Sequence, residues 1–569
     1  MMFDWGRRGP ERPMLRCWRQ GAGVGLTGWD FARRAAAVAR GLRAAGVAAG
    51  DRVMIVSENR PEYPIAEAAL MALRAVPVPA YTTNTPADNA HILRDSGARV
   101  AIVSTAALAE RLMAAGEGLL ERLVAMEPLA REDRNGASPG GEWPEVLAWS
   151  DLQAPGLAPD APWEDIADEA ARIRPDAMAC LIYTSGTGGA PKGVMVPHRA
   201  VLSNVDGARR ILATLPPVAQ DVYLSFLPLS HAYERTVGQF FMLAVGAEVV
   251  YARGVESLGA DMAQVRPTIV TMVPRVLEVI RARILAKVAR GPRWQQALFA
   301  RAVALGIRRR EGCPLSPWER LQDRVLECVV RRRISRVFGG RLRVAISGGA
   351  RLEPEVGRFF LSLGLALLQG YGQTEAGPVI TVNRPLATRI ETVGQPMPGV
   401  EVRIAADGEI LARGPLVMLG YWNLPDESAA TLRDGWLHTG DIGMLDPDGY
   451  LRITDRKKDM IVLSGGENVS PARVEGILAA EPEIAQAAVF GEGQAGLTAL
   501  LVAAEGSDAA EVAAAVARVN ERLSVTERLR RHAVVAPFTI ENGMFTATQK
   551  VRRHAVRAAY AELLDQLGR

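Results

Sequence analysis

The sequence predicts an α/β protein. It reads as a large N-terminal domain of α/β subdomains plus a small β-rich subdomain, followed by a small mobile α+β C-terminal domain. Three observations carry that expectation. Helix-like and strand-like patterns alternate over residues 28–105 and again over 178–280, the rhythm of a largely parallel sheet with helices packed on it. Short strand patterns punctuated by turns fill 391–455, and a compact mixed pattern occupies 457–569. A chain of 569 residues also exceeds one typical domain.

Taken in order, "WDFARRAAAVARGLRAAGV" has helical spacing and stops at a glycine before "DRVMIV", a short buried strand. "PIAEAALMALRAV" reads as a second helix, "PVPAY" as a strand, "ADNAHILRDSGA" as a helix and "RVAIV" as a strand. Residues 111–176 are polar and rich in Gly, Pro and acids, so they read as a peripheral excursion with room for short helices. Over 281–343 arginines crowd, with Leu, Ile and Val between them at helical spacing. "AADGE", "RDGW" and "DPDGY" are the turn signals of the β-rich stretch. The expected boundaries are 1–456 for the N-terminal domain, including 391–455, and 457–569 for the C-terminal domain.

Composition narrows the function. About half the residues are apolar and the net charge is only +4, which does not fit a dedicated nucleic-acid binder. Cys17, Cys180, Cys313 and Cys328 are scattered, with no CxxC pair and no clustered histidines. Neither a zinc site nor a disulfide framework is expected. The N-terminus "MMFDWGRRGPERP" has no apolar segment of a signal peptide, and no apolar run approaches the ~20 residues of a membrane span. A cytoplasmic protein, at most associated with a membrane surface, is the expectation.

The stretch "YTSGTGGAPKG" (183–193) is the strongest local signal. It follows the strand-like "AMACLIYTS". Its glycines Gly186 and Gly188 allow close backbone approach to an anion, and successive N–H groups form an anion-binding nest. Thr184, Ser185 and Thr187 add hydroxyl donors, and Lys192 adds a mobile positive charge. Together they suit a polyphosphate. A Walker A loop does not fit, because Pro191 precedes the lysine and Gly193 follows it.

This string resembles the signature of the adenylate-forming superfamily that includes acyl-CoA synthetases, luciferases and peptide-synthetase adenylation domains. Gly188 departs from it, standing where a second threonine is usual. The resemblance extends along nearly the whole chain. In "ISGGARLEPEV" (346–356) it implies that Gly348, Gly349 and Ala350 border adenine. In "QGYGQTEAG" (369–377), which supplies Gln369, Gly370 and Gly372, it implies that Tyr371 stacks on adenine. Thr374 would contact the α-phosphate, and Glu375 would hold Mg²⁺ together with Thr184. In "WLHTGDIG" (436–443) Asp441 would accept the ribose hydroxyls, and in "DRKKDMI" (455–461) Arg456 would add a ribose or phosphate contact, with a hinge near Lys458. "SGGENVSP" (464–471), containing Gly465 and Gly466, resembles the mobile glycine loop of the small domain. "ENGMFTATQKVRR" (541–553) aligns Lys550 with the family's catalytic lysine; Ala547 departs from a proline common in the long-chain subgroup.

The substrate is addressed by other strings. "LSFLPLSHAYERT" (224–236), "VRPTIVTMVPRVLEVI" (265–280) and "SENRPEY" (57–63) resemble the long-chain fatty acid–CoA ligase subgroup. The resemblance therefore implies ATP, Mg²⁺ and coenzyme A, with a fatty acid as the acid substrate. "FFMLAVGAEVV" and "TIVTMVPRVL" either line an acyl tunnel or are simply core. His231 either borders the acyl carboxylate, with a catalytic role, or is a satisfied core histidine. The basic 281–343 segment either meets an anionic membrane or is a solvated face, and a homodimer stays open. The alternatives are a ligase for an aryl, bile or terpenoid acid, an acyl-AMP ligase, and a catalytically silent lipid-binding relative.

Overall fold

The computed structural model describes residues 1–19, 22–116, 118–129, 144–154, 157, 161–184, 190–385, 387–457, 460–464, 467–539, 541–545 and 551–568. The first subdomain is a five-stranded parallel sheet, in the order Val76–Ala80, Arg52–Val56, Val100–Val103, Arg122–Ala125, Glu145–Ala148. Its first three strands and the helices Gly28–Ala44, Glu62–Ala72 and Pro86–Ser96 match the predicted alternation. The helix Gly28–Ala44 starts at Thr27, which forms a reciprocal capping box with Asp30. The last two strands are a correction. They lie in the stretch read as a peripheral excursion, where they instead extend the sheet, and each has only four residues.

The second subdomain is a nine-stranded sheet. Its centre is parallel: Leu367–Gly372, Val344–Ser347, Ile269–Met272, Val222–Ser225 and Glu248–Tyr251 run side by side. Buried strands of this kind are near-continuous apolar runs, as "TIVTM" and "RVAIS" are. The helices Pro274–Ala289, Arg293–Arg310 and Pro317–Leu326 cover one face with a core of Phe299, Leu305, Leu326, Phe338 and Phe360. Not all the arginines there are solvated. Arg331 is 1% exposed and is held by Asp323 Oδ1 at 2.5 Å and by the carbonyls of Ser362 and Ala302, both at 3.0 Å.

A three-stranded antiparallel sheet joins Met178–Thr184, Lys192–Pro197 and Gly420–Tyr421. The β-rich stretch is a five-stranded sheet from Glu401–Ile404 to Leu451–Arg456. Beyond it, the strands Ile484–Phe490, Leu497–Ala503 and Leu529–Val534 pack against the helices Pro471–Ala479 and Ala509–Arg522 around their own apolar core. The result is a large N-terminal and a small C-terminal α/β domain.

Two buried carboxylates hold the layers beneath the site. Glu67, on the helix Glu62–Ala72, is fully buried and pairs with the buried Arg235 at 2.5 Å; Gln239 donates to its other oxygen. Glu234 is also fully buried, in a π-helical turn Glu234–Phe240. It accepts hydrogen bonds from Tyr223, Ser225 and Thr271, each at 2.7 Å. Burial pushes the Glu234 carboxyl up to about 7, with the three hydroxyls pulling partway back. Between pH 4.5 and 7 the folded state therefore keeps a proton that the unfolded chain has released, and stability falls as pH rises through that window. Glu234→Gln removes this titration. Its melting temperature relative to the parent is expected to improve from pH 4.5 to pH 7; a difference independent of pH would refute a raised Glu234 carboxyl.

Candidate active site

A cavity of about 1460 Å³ extends from the carboxyl ends of the central parallel strands back along them to Ile269, Val344 and Leu368, and is walled by both domains. Open α/β sheets place their ligands at the carboxyl end. Val344–Ser347 delivers Gly348 and Gly349 to the wall, and Leu367–Gly372 delivers Gly370, Tyr371 and Gly372, followed by Thr374 and Glu375 in a short 3₁₀ turn. Gly348 lies flat on a ring: a Cβ there would meet Tyr233 Cζ at 3.0 Å. Tyr233 is fixed by donating to the Ile346 carbonyl at 3.0 Å. At Gly372 a Cβ would collide with the Pro378 carbonyl, so no larger residue fits that turn.

The ends of the glycine-rich loop are anchored from outside. Tyr183 donates to Asp95 Oδ2 at 2.6 Å, and His91 Nε2 donates to the Pro191 carbonyl at 2.8 Å. The backbone N–H of Trp422 donates to the Gly193 carbonyl at 2.7 Å. Thr184 and Lys192 both line the cavity. Lys192, expected as a mobile charge, is ion-paired with Glu427 and lies 5.3 Å from the centre of the Tyr421 ring. The Tyr421 hydroxyl donates to Glu375 Oε1 at 2.9 Å. Burial first, then the Glu375 charge, raises Tyr421, so it remains a donor.

Asp441 is 5% exposed and sits behind the wall. It accepts from the Tyr371 hydroxyl at 2.6 Å and from Arg456 Nε at 3.1 Å. Burial and then the Asp441 charge raise Tyr371 well above the usual phenol range. Arg456 and Tyr371 reach the cavity, whereas Asp441, Gln369 and Ala350 do not line it. His231 does line it, and its Nδ1 accepts the Tyr233 backbone N–H at 3.1 Å, which leaves the ring proton on Nε2. Of the two apolar strings proposed for a tunnel, only Phe241 and Ile269 reach the wall; Met242, Leu243, Val249, Val250, Val270, Met272 and Leu277 are core. The apolar part of the lining comes instead from residues such as Ile211, Leu212, Leu215, Leu368, Val382 and Met397. From the C-terminal domain, Gly543, Phe545 and Val551–His554 contribute. Ser185, Gly186, Thr187, Gly188, Gly465, Gly466 and Lys550, with the hinge candidate Lys458, lie outside the described residues.

Sequence reasoning passed over Glu427, Tyr421, Asp95 and His91. Glu427 sits in "NLPDESAAT" and His91 inside a helical pattern, where a charged side chain carries no sign of what it will face. Among the described residues no cluster of three His, Cys, Asp or Glu could hold a metal alone. Glu375, with the Thr184 and Thr374 hydroxyls on the same wall, is nevertheless a hard-oxygen set suited to Mg²⁺. That ion typically takes one or two carboxylates and completes its shell with substrate phosphates and water.

A family model described as AMP-binding enzyme matches residues 2–422, and one described as AMP-binding enzyme C-terminal domain matches residues 458–568. The chain belongs to the AMP-binding enzyme family. Within this family it is 32% identical over 576 residues to the long-chain-fatty-acid–CoA ligase FadD15 of Mycobacterium bovis, covering 96% of this chain and 92% of that protein. It is 31% identical over 499 residues to the feruloyl-CoA synthase of an Amycolatopsis species, covering 85% and 84%. The family fold is shared with the o-succinylbenzoate-CoA synthetase of Bacillus subtilis, solved with ATP and a magnesium ion. There the TM-score is 0.71 at 23% identity, with 97% of this chain and 98% of that one covered.

Proposed function

We propose that this AMP-binding enzyme ligates a long-chain fatty acid to coenzyme A through an acyl-adenylate, releasing AMP and pyrophosphate. The observation that carries the reading is the composition of the cavity wall. It combines the polar Thr184, Lys192, Tyr371, Thr374, Glu375 and Arg456 with the apolar Ile211, Leu212, Leu215, Leu368, Val382 and Met397. The polar groups suit a nucleotide. The apolar side chains suit an alkyl chain, which gains ~0.8 kcal/mol per buried CH₂. The 32% identity to a long-chain ligase over 96% of the chain supports the same substrate class.

In the first half-reaction the acid's carboxylate oxygen attacks the α-phosphorus of ATP, the bond to the bridging oxygen breaks, and pyrophosphate leaves. Two anions must meet, so the barrier is largely electrostatic. Lys192 exchanges Glu427 for the phosphates, Thr374 donates to the α-phosphate, and Lys550 offsets the charge of carboxylate and phosphate together. Tyr371 gives a ring face to adenine and Arg456 takes the ribose, while Asp441 holds both side chains from behind the wall. His231 holds its Nε2 proton beside the acyl carboxylate. Glu375 and Thr184 would hold Mg²⁺, which when bound neutralises phosphate charge. In the second half-reaction the coenzyme A sulfur attacks the acyl carbon and AMP departs, so no protein cysteine is needed. The domain beyond residue 456, turning about Lys458, presents Lys550 for the first step and Gly465–Gly466 for the second.

Pyrophosphate release with palmitate, ATP and Mg²⁺ tests the reading, followed by acyl-CoA formation across a chain-length panel. The relation to a feruloyl-CoA synthase favours an aryl acid as the second reading. A rate highest for aryl acids would select it, and release with no acid in the panel would leave a silent relative. Asp441→Ala is expected to weaken AMP binding on the order of 10- to 100-fold, because Tyr371 and Arg456 lose the charged acceptor that holds them at the wall. Calorimetric titration reads this directly, and unchanged affinity would remove Asp441 from the nucleotide site.

A further inference from the structure

The helix Pro317–Leu326 continues without a break through Glu327–Arg331 and Arg332–Ser335. It begins at a capping box, with Ser316 and Glu319 bonding each other's backbone and Pro317 in the first turn. One face is conventional. Glu319 and Asp323 pair with Arg308 and Arg309 of the neighbouring helix Arg293–Arg310, and Leu326 and Val330 are buried. A second face is not. Trp318, Leu321, Val325 and Val329 are 66%, 51%, 53% and 45% exposed. Their spacing of three, four and four residues places them in one stripe. Scattered single apolar residues on a surface need no explanation, but four in register on one helix do.

Charge surrounds the stripe. Arg320, Arg324, Arg332, Arg333 and Arg336 are all exposed. Among the described residues, Arg324, Arg332 and Arg333 pair with no carboxylate. Residues 281–343 hold 17 Lys and Arg against 4 Asp and Glu, a net of +13 in a chain whose total is +4. The remainder is therefore at −9, and the positive charge is concentrated in this helical layer.

We propose that the stripe Trp318–Leu321–Val325–Val329 and its flanking arginines form a docking surface for an anionic lipid bilayer. An amphipathic helix with a tryptophan and aliphatics on one side and arginines beside them lies in the headgroup region, its apolar side chains reaching the acyl boundary. The charge decides among occupants. Two copies meeting through this surface would each bring the same +13, so self-association is opposed. An anionic membrane offers the complementary sign, and each basic residue held at its surface strengthens binding about fivefold. Stacked aromatics of the kind that hold single-stranded nucleic acid are absent from the stripe, which has one tryptophan among aliphatics.

The inference goes beyond the ligase reading and is tested without nucleotide or acid. The full chain is floated with vesicles of phosphatidylcholine alone and of phosphatidylcholine with about one-third phosphatidylglycerol. Binding to the anionic vesicles, and its weakening by added salt, are expected. Trp318→Ser combined with Val325→Ser should cut the partition coefficient at least tenfold, as should Arg324→Glu with Arg332→Glu and Arg333→Glu. These positions are exposed, so both variants should keep the parent's melting temperature and its rate with a water-soluble acid. Equal partitioning of parent and variants would overturn the inference. So would a serine variant that only dissolves a dimer in sedimentation velocity, or binding of duplex nucleic acid in place of vesicles. Loss of ligase activity with vesicle binding intact would count against the ligase reading alone.

Discussion

Lys550→Ala will stop acyl-adenylate formation while leaving thioester formation from supplied acyl-AMP close to the parent rate. The two half-reactions differ in charge. In the first, a carboxylate approaches a triphosphate, and a cation placed between them acts only where the two anions converge. Losing such a group costs on the order of 100- to 1000-fold in rate. In the second, a thiol attacks an acyl-adenylate whose electrostatic problem is already solved, and the lysine has no equivalent task. Pyrophosphate exchange measures the first step, and acyl-CoA formation from synthetic acyl-AMP measures the second. Equal loss of both would end the role assigned to Lys550 and would point instead to misfolding of the small domain. The neighbours Phe545 and Val551 pair in a β-bridge and line the cavity, so a melting curve that includes the small domain is the natural control.

The second large effect is on stability. Glu67→Ala leaves the buried Arg235 guanidinium without its carboxylate, 5.4 Å from the Phe240 ring. Breaking a buried pair from one side costs about 3–5 kcal/mol, because the surviving charge keeps its desolvation penalty. Replacing both by apolar residues, Glu67→Leu with Arg235→Met, should recover most of that loss. The pair sits where the helix of the first α/β subdomain meets the π-helical turn of the second, so denaturant unfolding of the parent and both variants also reports on their coupling. A single substitution costing less than about 1 kcal/mol would mean the two subdomains do not depend on this contact. Neither outcome bears on catalysis, since Glu67 and Arg235 do not line the cavity.

The two predictions have different sources. Lys550 comes from a string of residues, and its role travels with that string. Glu67 could not have been found that way: in "PIAEAALMALRAV" it looks like the polar residue of an amphipathic helix. Its burial follows from a helix covered on every side, with all eleven residues of Glu62–Ala72 buried. The same limit hid the strands Arg122–Ala125 and Glu145–Ala148. A four-residue apolar run has no period of its own, and only the ladder from Val100–Val103 outward makes it a strand.

The sequence by itself determined the chemistry on offer. The glycine-rich string is a local pattern whose residue types suit phosphate wherever the chain carries them, and the roles expected of Tyr371, Glu375, Arg456 and Lys550 follow from the resemblance of the strings that hold them. Tertiary structure decided what those groups meet. It pinned Lys192 to Glu427, tied Tyr371 to Asp441, and brought Leu212, Leu215 and Met397 to the cavity wall while burying most of the strings that looked most apolar. It also turned four apolar side chains of one helical stretch toward solvent while burying Arg331 of the same stretch. Local patterns are readable because they depend on neighbours in sequence, whereas ion pairing, burial and exposure depend on neighbours in space, which only the packed chain supplies.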